Sequence, residues 1–208
     1  MNSSIVLTHQ FGNANVRQAL RTFHDANLLD RFITTISAEH LMIRKVLPRA
    51  IRTEVDRRRF PDLPIPLIQD HPLYEALRLL GKRVSHTFPV LANAFPSVDD
   101  IWTRTDRELL AYIRKRHKEN LTIYAYEDGA FHTFSSEMQL QKVYELPIGY
   151  WRNMHAILDE ECDLNPEWGV TLSGLKDPRE KLERKDVELD LADKIIVPSD
   201  FVNSTLPE

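Results

Sequence analysis

The stretch SIVLTHQFGNANVRQALRTFHDANLLDRFITTIS, residues 4–37, decides the fold class. It opens with a short, continuously apolar run at 4–8, which is typical of a buried strand. A helical pattern follows at 15–29, with apolar residues recurring on one face, and a second β-rich run lies at 31–37. Strand, helix and strand in so short a span predict a βαβ unit, whose crossover makes the two strands parallel.

The same alternation continues to the end of the chain. Further strands are predicted at 121–126, 142–147 and 194–198, with helical patterns between them. Five strands separated by helices predict an α/β fold, a Rossmann-like, doubly wound and mostly parallel sheet with helices on both faces. We expect one domain over 1–208.

Several local signals predict where helices begin and end. Thr105 and Glu108 have the spacing of a capping box and predict a helix over 106–118. A short helix is expected from Ser135 or Ser136, and another over 151–162. The remaining signals are an extended proline-rich loop at 60–72, a helix that begins at Pro72 and stops at Gly81, a helix capped by Asp177 that ends near Ala192, and an N-cap at Ser199.

Composition excludes several classes of protein. The net charge is −4, which argues against a nucleic-acid partner. Cys162 is the only cysteine, so a cysteine-based metal cluster and an intramolecular disulfide are excluded, and no metal is expected. The sequence MNSSIVLTHQFGN has no signal-peptide pattern and no apolar run is long enough to span a membrane, so we expect a cytoplasmic protein.

Three of the six glycines follow predicted strands, at Gly12, Gly129 and Gly149. Ligands bind at the carboxyl ends of the strands in open parallel sheets, and glycine allows the backbone to approach a ligand closely. The neighbours of these glycines mix polar groups with aromatic rings, as in sugar and nucleotide sites. The alternative is that turns between strands and helices simply need glycine.

The loop around Gly129 carries the candidate catalytic residues Asp128 and His132. His132 is suited to orient or deprotonate a hydroxyl group, and Glu127 and Asp128 offer carboxylates to sugar hydroxyls. Two alternatives stay open. The carboxylates could cap the next helix or bind a loop amide, and His132 could be an ordinary surface histidine.

The other two glycine loops supply candidate binding residues. Asn13, Asn15 and Arg17 lie where the first loop meets a helix N-terminus, a place suited to phosphate. Tyr150 and Trp151 offer faces on which a sugar ring could stack. A solvated Arg17 and a core position for Trp151 are the alternatives.

Common catalytic motifs are missing from the sequence. The segment GNANVR at 12–17 lacks the second and third glycines of the dinucleotide fingerprint. The chain also has no Walker A sequence, no G-x-S-x-G and no H-E-x-x-H. The usual dinucleotide, P-loop, hydrolase and zinc-protease functions are therefore not indicated.

The segment DPREKLERKDVELDLADKIIVPSDFVNSTL, residues 177–206, resembles the end of the N-terminal domain in GT-B glycosyltransferases of family 4. In that family a helix carrying a glutamate and an Ala-Asp pair leads into a strand that ends in Val-Pro-Ser or Val-Ala-Ser. The matching residues are Glu188, Leu191, Ala192, Asp193, Ile195, Val197, Ser199, Phe201 and Leu206.

The resemblance implies a retaining glycosyltransferase built from two Rossmann-like domains, of which this chain is the N-terminal, acceptor-binding half. Its partners would be a carbohydrate or glycolipid acceptor and a nucleotide-sugar donor. The donor is a substrate rather than a cofactor, and no metal is needed. The resemblance implies that the donor is held by a C-terminal domain, which carries the family's E-x7-E motif and is expected to lie outside these 208 residues. The isolated chain is then expected to be inactive in hexosyl transfer.

Two other functions remain open. One is a non-catalytic binding or assembly subunit that pairs with a separate catalytic chain, and the other is an unrelated stand-alone Rossmann-like enzyme. The basic run at 44–59 is a solvated face or a peripheral contact with the inner face of the membrane, because anionic lipids attract such patches.

Overall fold

The computed structural model describes residues 4–39, 56–116 and 120–207. Within them, six strands form one all-parallel sheet in the order β3-β2-β1-β4-β5-β6. The strands are β1 (Ser4–Thr8), β2 (Leu29–Thr34), β3 (Ile68–Asp70), β4 (Leu121–Tyr126), β5 (Gln141–Glu145) and β6 (Lys194–Ile196). The predicted Rossmann-like α/β fold is confirmed.

Helices connect these strands on both sides of the sheet. The described helices are α1 (Ala14–Asp25), α2 (Pro72–Thr87), α3 (Val98–Arg116), α4 (Phe131–Phe134), α5 (Trp151–Leu164), α6 (Arg179–Asp190) and α7 (Asp200–Ser204). Short 3₁₀ turns lie at Ile65–Leu67, Pro89–Ala94, Pro166–Thr171 and Ser173–Lys176.

Residues of β1, β2, β4 and β5 contribute to two separate hydrophobic clusters. In β1, Val6 belongs to the cluster that contains Leu109 of α3 and Leu189 of α6, whereas Leu7 belongs to the cluster that contains Leu20 of α1. Successive side chains of a strand point to opposite faces of the sheet, so the two clusters cover its two faces. Strands buried on both faces explain the continuous apolar runs at 4–8 and 121–126.

The strand order changes direction between β1 and β4. From β1 the chain proceeds outward through β2 to β3, and then it returns to place β4 on the other side of β1. The helix that follows β1 packs on one face of the sheet and the helix that follows β4 packs on the other. The carboxyl ends of β1 and β4 therefore border a crevice at the switch in strand order.

The prediction of five strands was wrong by one, because β3 lies in the segment predicted as an extended proline-rich loop. Phe32 of β2 pairs with Ile68, which is buried. Three residues are too few to show a strand periodicity, so only the tertiary pairing reveals this strand. The second strand also ends earlier than predicted, at Thr34.

The capping box predicted at Thr105 was wrong. The helix begins at Val98, and the box is formed by Ser97 and Asp100. Ser97 Oγ accepts from the Asp100 N–H at 3.1 Å, and Asp100 Oδ2 accepts from the Ser97 N–H at 2.8 Å. Thr105 lies inside the helix and donates its hydroxyl to the Ile101 carbonyl.

Three further expectations about helix ends were also wrong. Gly81 does not stop α2, because the helix continues to Thr87 and packs the glycine against Phe95. The short helix lies at Phe131–Phe134, before Ser135. Asp177 does not cap α6, since its carboxylate binds Lys181 instead. The predicted helix start at Pro72 and the N-cap at Ser199 are confirmed.

Candidate functional site

Two loops meet at the switch in strand order, residues 9–12 after β1 and residues 127–130 after β4. Their strands are direct neighbours in the sheet, with Leu7 opposite Tyr124. The third predicted glycine loop, around Gly149, follows β5, which is the next strand along. The sequence therefore placed its three glycine loops at one edge of three adjacent strands.

His9 fixes the shape of the first loop. Its Nδ1 atom accepts hydrogen bonds from the Phe11 and Gly12 N–H groups, both at 3.0 Å. A neutral ring that accepts at Nδ1 carries its proton on Nε2, so His9 can act only as a donor there. Burial lowers the pKa of His9 to about 4, which keeps the ring neutral at physiological pH.

Gly12 is required by geometry. Its φ of 62° lies in the left-handed region, and a Cβ atom built on it would approach the Phe60 ring to 2.5 Å. The glycine therefore allows the loop to turn against Phe60. This is a structural need, and it supports the alternative that the turn itself selects glycine at this position.

Gln10 is the least satisfied polar side chain at the crevice. Its backbone carbonyl accepts from the hydroxyl groups of Thr34 and Thr35, at 3.0 and 2.6 Å. Its side-chain amide is fully buried, and neither Nε2 nor Oε1 has a hydrogen-bond partner among the residues that the structure describes. Buried polar groups are almost always paired, so this amide is a point at which a further hydrogen-bond partner would be favourable.

Gly129 and Trp102 lie against this amide. A Cβ atom on Gly129 would be 3.3 Å from Gln10 Nε2 and 3.0 Å from the half-buried Trp102 ring. Trp102 and Tyr126 both form T-shaped ring contacts with His9, with centroid distances of 5.5 and 4.8 Å. We call His9, Gln10, Trp102 and Gly129 the crevice group.

The two acids of the second loop are engaged in ion pairs with α6. Lys185 Nζ lies 3.3 Å from Glu127 Oε1 and 3.7 Å from Asp128 Oδ1, and Lys181 Nζ lies 3.3 Å from Asp128 Oδ2. Asp177 joins both lysines. Burial raises the pKa of Glu127, and Lys185 opposes this effect. Neither carboxylate is a helix cap.

Glu188 of α6 binds the backbone of the same loop. Its fully buried carboxylate accepts from the N–H groups of Asp128, Ala130 and Phe131 at 2.9 to 3.0 Å, and from the Tyr144 hydroxyl at 3.1 Å. Burial raises the pKa of Glu188 to about 8, while the hydrogen bond from Ala130 acts in the opposite direction. These bonds hold Asp128 at a φ of 72°, a conformation that few residues other than glycine adopt.

Asp106 of α3 holds the other end of the loop. Its carboxylate accepts from the N–H groups of His132 and Thr133 at 2.5 and 3.1 Å, and from the Thr133 hydroxyl at 2.6 Å. Burial raises the pKa of Asp106 to about 6. Residues 128–133 are thus bound by one acid from α6 and one acid from α3.

The predicted catalytic pair, Asp128 and His132, is held by two different helices. Asp128 contacts lysines of α6, whereas His132 Nε2 accepts from Arg107 Nε of α3 at 3.2 Å. Burial lowers the pKa of His132, and the neighbouring Arg107 adds to this effect. The two side chains have separate partners on separate helices, so their joint catalytic role stays a prediction.

The three residues after β1 that were predicted to bind phosphate either make contacts within the chain or are exposed. Asn13 caps α1 by accepting from the Val16 N–H at 3.0 Å. Asn15 is exposed. Arg17 donates to the carbonyls of Arg57 and Arg59 and stacks over Phe60 at 4.5 Å, so it ties α1 to the segment before β3.

Tyr150 and Trp151, the two aromatic residues after β5 that were predicted to stack on a sugar ring, form hydrogen bonds with α6. The Tyr150 hydroxyl and Trp151 Nε1 both donate to Asp186 Oδ1, at 2.8 and 2.5 Å. A Cβ atom on Gly149 would approach Met154 Sδ to 2.5 Å. Trp151 also packs against the hydrophobic cluster, which agrees with the core alternative for this residue.

Sequence reasoning missed His9, Gln10 and Trp102. A signal existed for the first two, because His-Gln directly follows the apolar strand at 4–8. Trp102 gave no signal, since it reaches the crevice from a helix that is distant in the sequence.

Comparison of the chain with family models, with curated proteins and with solved structures found no match. In the described residues, no cluster of three or more histidine, cysteine or acidic side chains is arranged to hold a metal ion. A search of the described helices also found none with the length and apolarity of a membrane span.

Proposed function

We propose that this chain is the acceptor-binding domain of a sugar-nucleotide-dependent, retaining glycosyltransferase of GT-B architecture. The observation that carries the proposal is the unpaired Gln10 amide at the crevice between β1 and β4. Sugar hydroxyls both donate and accept hydrogen bonds, as does a carboxamide. A hydroxyl-rich acceptor would supply the bonds that Gln10 lacks once the crevice opens around this fully buried amide.

The rest of the crevice group is suited to the same ligand. Neutral His9 can donate through Nε2, and Trp102 offers an aromatic surface to the apolar face of a sugar ring. Gly129 permits close approach to the loop backbone. The mixture of a few polar groups with an aromatic ring resembles small-ligand sites in general.

The donor side of the reaction is assigned to another domain. The loop after β1 lacks a phosphate-binding glycine pattern, and the Asn13 side chain occupies the Val16 N–H of the α1 N-terminus. Residues of the segment that resembles family 4 have architectural roles here, since Glu188 holds the β4 loop and Ser199 caps α7. Asp128 and His132 remain the proposed catalytic residues of the complete enzyme.

Ligand-observed NMR on the 208-residue chain tests this proposal, with a panel of methyl glycosides and, in parallel, nucleotide sugars. We expect at least one glycoside to bind. Gln10→Ala should weaken that binding by about three- to tenfold, the effect of one or two ordinary hydrogen bonds. Gln18→Ala is the matched control, because Gln18 is an exposed glutamine of α1 and is not one of the candidate binding residues.

Three results would contradict the proposal. Binding of nucleotide sugars without any glycoside would favour the stand-alone Rossmann-like enzyme. No binding of either class would favour the assembly subunit. Equal glycoside affinity in the Gln10→Ala and wild-type chains would show that the glycoside does not bind at Gln10, provided that thermal unfolding shows both chains folded.

A further inference from the structure

A cavity of about 470 Å³ lies between the first turns of α2 and the first half of α3. It is lined by Tyr74 of α2, by Phe95 of the connecting segment, and by Arg104 and Arg107 of α3, among others. This half of α3 lies at the carboxyl edge of the sheet, because its Asp106 binds the loop that follows β4. Small-molecule sites have volumes of this order and favour this edge of parallel sheets. We call this space the α2–α3 cavity, and it shares no lining residue with the crevice group.

The two arginines of the cavity differ in how their charges are offset. Arg104 forms an ion pair with Glu108, and its guanidinium lies 5.1 Å from the centroid of the Tyr74 ring. Arg107 is exposed and donates its Nε–H to His132 Nε2 at 3.2 Å, but it forms no ion pair with any residue that the structure describes. The bond to a neutral histidine orients the guanidinium without offsetting its charge. The Nη groups of Arg107 are therefore left as charged donors beside the cavity.

The described end of the basic run at 44–59 differs from Arg107. Residues 44–55 of this run lie outside the described residues. Arg58 and Arg59 are described, and each forms an ion pair with a glutamate of the chain. Their charges are therefore offset within the protein, whereas the charge of Arg107 is available to an external anion.

Groups that suit the uncharged part of a ligand lie at the other end of the cavity. Asp100 Oδ2 accepts from the N–H and the hydroxyl of Ser97, at 2.8 and 2.7 Å, and Oδ1 is the oxygen available to a ligand hydroxyl. Thr103 adds a hydroxyl group, and Phe95 adds an apolar wall. Asp100 and Arg107 are seven residues apart on one helix, which is about 10 Å along its axis. An anionic group is therefore favoured at the Arg107 end and a hydroxyl group at the Asp100 end.

We propose that the α2–α3 cavity binds a small hydroxylated ligand through an oxyanion, a phosphate or a carboxylate group, that pairs with Arg107. A guanidinium group matches both oxyanions in shape, because two of its N–H donors can meet two oxygens. The Nη donors of Arg107 are available for such a pair while its Nε–H stays on His132. Binding of this kind requires neither glycosyl transfer nor the crevice group.

His132 should report the bound oxyanion. Its Nε2 atom accepts from Arg107, so the neutral ring carries its proton on Nδ1. Burial lowers the pKa of His132, and the charges of Arg107 and Arg184 lower it further. An oxyanion at Arg107 offsets one of these charges, so the pKa of His132 should rise when the ligand binds.

NMR titration of the 208-residue chain tests the proposal, with glucose 6-phosphate, glucuronate, methyl glucoside and inorganic phosphate as probes. We expect glucose 6-phosphate or glucuronate to bind and to raise the pKa of His132, measured from its ring signals. The tighter of the two identifies the oxyanion as a phosphate or a carboxylate. Methyl glucoside has no oxyanion and should leave the pKa of His132 unchanged. Arg107→Gln should weaken oxyanion binding by about tenfold or more, because it removes a charge-assisted pair.

Arg114→Gln is the matched control, because Arg114 is an exposed arginine in the last turn of the same helix. It should bind the oxyanions as the wild-type chain does. Circular dichroism verifies that both variants are folded. Loss of glycoside binding with intact oxyanion binding would count against the proposed function alone, and the reverse would count against this proposal alone.

Any of several results would overturn the cavity proposal. They are no saturable binding of either organic oxyanion up to about 10 mM, equal affinity for inorganic phosphate and the organic oxyanion, and an unchanged pKa of His132 at saturation. Wild-type affinity in Arg107→Gln would also overturn it. Equal weakening by Arg107→Gln and Arg114→Gln would mean that anions are attracted to the charged surface in general, and not to this cavity.

Discussion

Single residues at the carboxyl edge of the sheet determine how precisely the crevice is shaped. Gly12 and Gly129 follow neighbouring strands, yet different contacts require each of them. Gly12 combines a positive φ with the nearby Phe60 ring, whereas Gly129 leaves room for Trp102 and the Gln10 amide. Of the two, only Gly129 lies in the crevice group, so only this glycine bears directly on ligand binding.

Replacement of Gly12 by alanine should lower the free energy of unfolding by about 2–4 kcal/mol, because it combines a left-handed alanine with overpacking against Phe60. Urea denaturation measures this change. Gly169→Ala is the control, since a Cβ atom there would meet only Cys162 Sγ at an ordinary 3.4 Å. Equal stabilities of the two variants would show that the Gly12 turn is not constrained as described.

Glu188 should make stability depend on pH. Its pKa is raised in the folded state from 4.5 to about 8, so the folded protein binds the extra proton in this range. The free energy of unfolding should therefore fall as pH rises, by about 1 kcal/mol per pH unit. Asp106, whose pKa is raised to about 6, contributes in the same direction at the lower end of the window from about pH 6 to pH 8, so a variant at Glu188 that does not titrate is needed to separate the two.

Urea denaturation of the wild-type and Glu188→Gln chains across this window gives the measurement. The difference in unfolding free energy between them should shrink as pH rises, since glutamine does not titrate. A difference that stays constant from about pH 6 to pH 8 would mean that Glu188 is already ionised in the folded protein.

At the scale of elements, the start of α3 shows what sequence patterns can and cannot give. Two segments have capping-box spacing, Ser97 with Asp100 and Thr105 with Glu108, and the prediction chose the wrong one. Local sequence could not decide between them, because Ile101 is buried and extends the packed face of the helix upstream. Tertiary burial selected the earlier start.

Ser97→Ala should cost about 1 kcal/mol of stability, since it removes the acceptor for the Asp100 N–H. Thr105→Val should cost less, because the Thr105 hydroxyl only duplicates a hydrogen bond to a carbonyl within the helix. Thermal and urea unfolding of both variants provide the comparison. A larger loss for Thr105→Val would reverse the assignment of the cap.

The predictable elements of the fold were those with strong local patterns. The apolar runs at 4–8 and 121–126 are strands because both faces of the sheet are covered, and they could be predicted at once. The three-residue β3 could not be predicted, because its only marker is pairing with β2. The glycine loops of the site could be predicted because each of them follows a strand with a clear local pattern.

The residues that line the crevice could be identified only once the strand order was known. Gln10 becomes notable only when β1 and β4 are neighbours and its amide is found without a partner. Most of the predicted site residues proved to hold the structure together, including Asn13, Arg17 and Tyr150. Polar residues beside a glycine do not reveal from sequence whether their partners are ligands or other parts of the chain.

At the scale of the whole molecule, the proposed function predicts that this chain binds the acceptor but does not catalyse transfer. The isolated chain should bind an acceptor glycoside but release no nucleoside diphosphate from nucleotide sugars, because the donor site is assigned to another domain. Mass spectrometry of the incubated mixture measures the release. Turnover above the rate in buffer would contradict this prediction and favour a stand-alone enzyme.

The two carboxylates that hold the β4 loop also have a consequence for how the chain folds. The loop amides at 128, 130 and 131 bind Glu188, which lies 57 to 60 residues further along the chain, and those at 132 and 133 bind Asp106, 26 and 27 residues earlier. Such distant contacts form only after the intervening chain has closed on itself. We therefore expect this edge of the crevice to be completed late in folding, after α3 and α6 have docked.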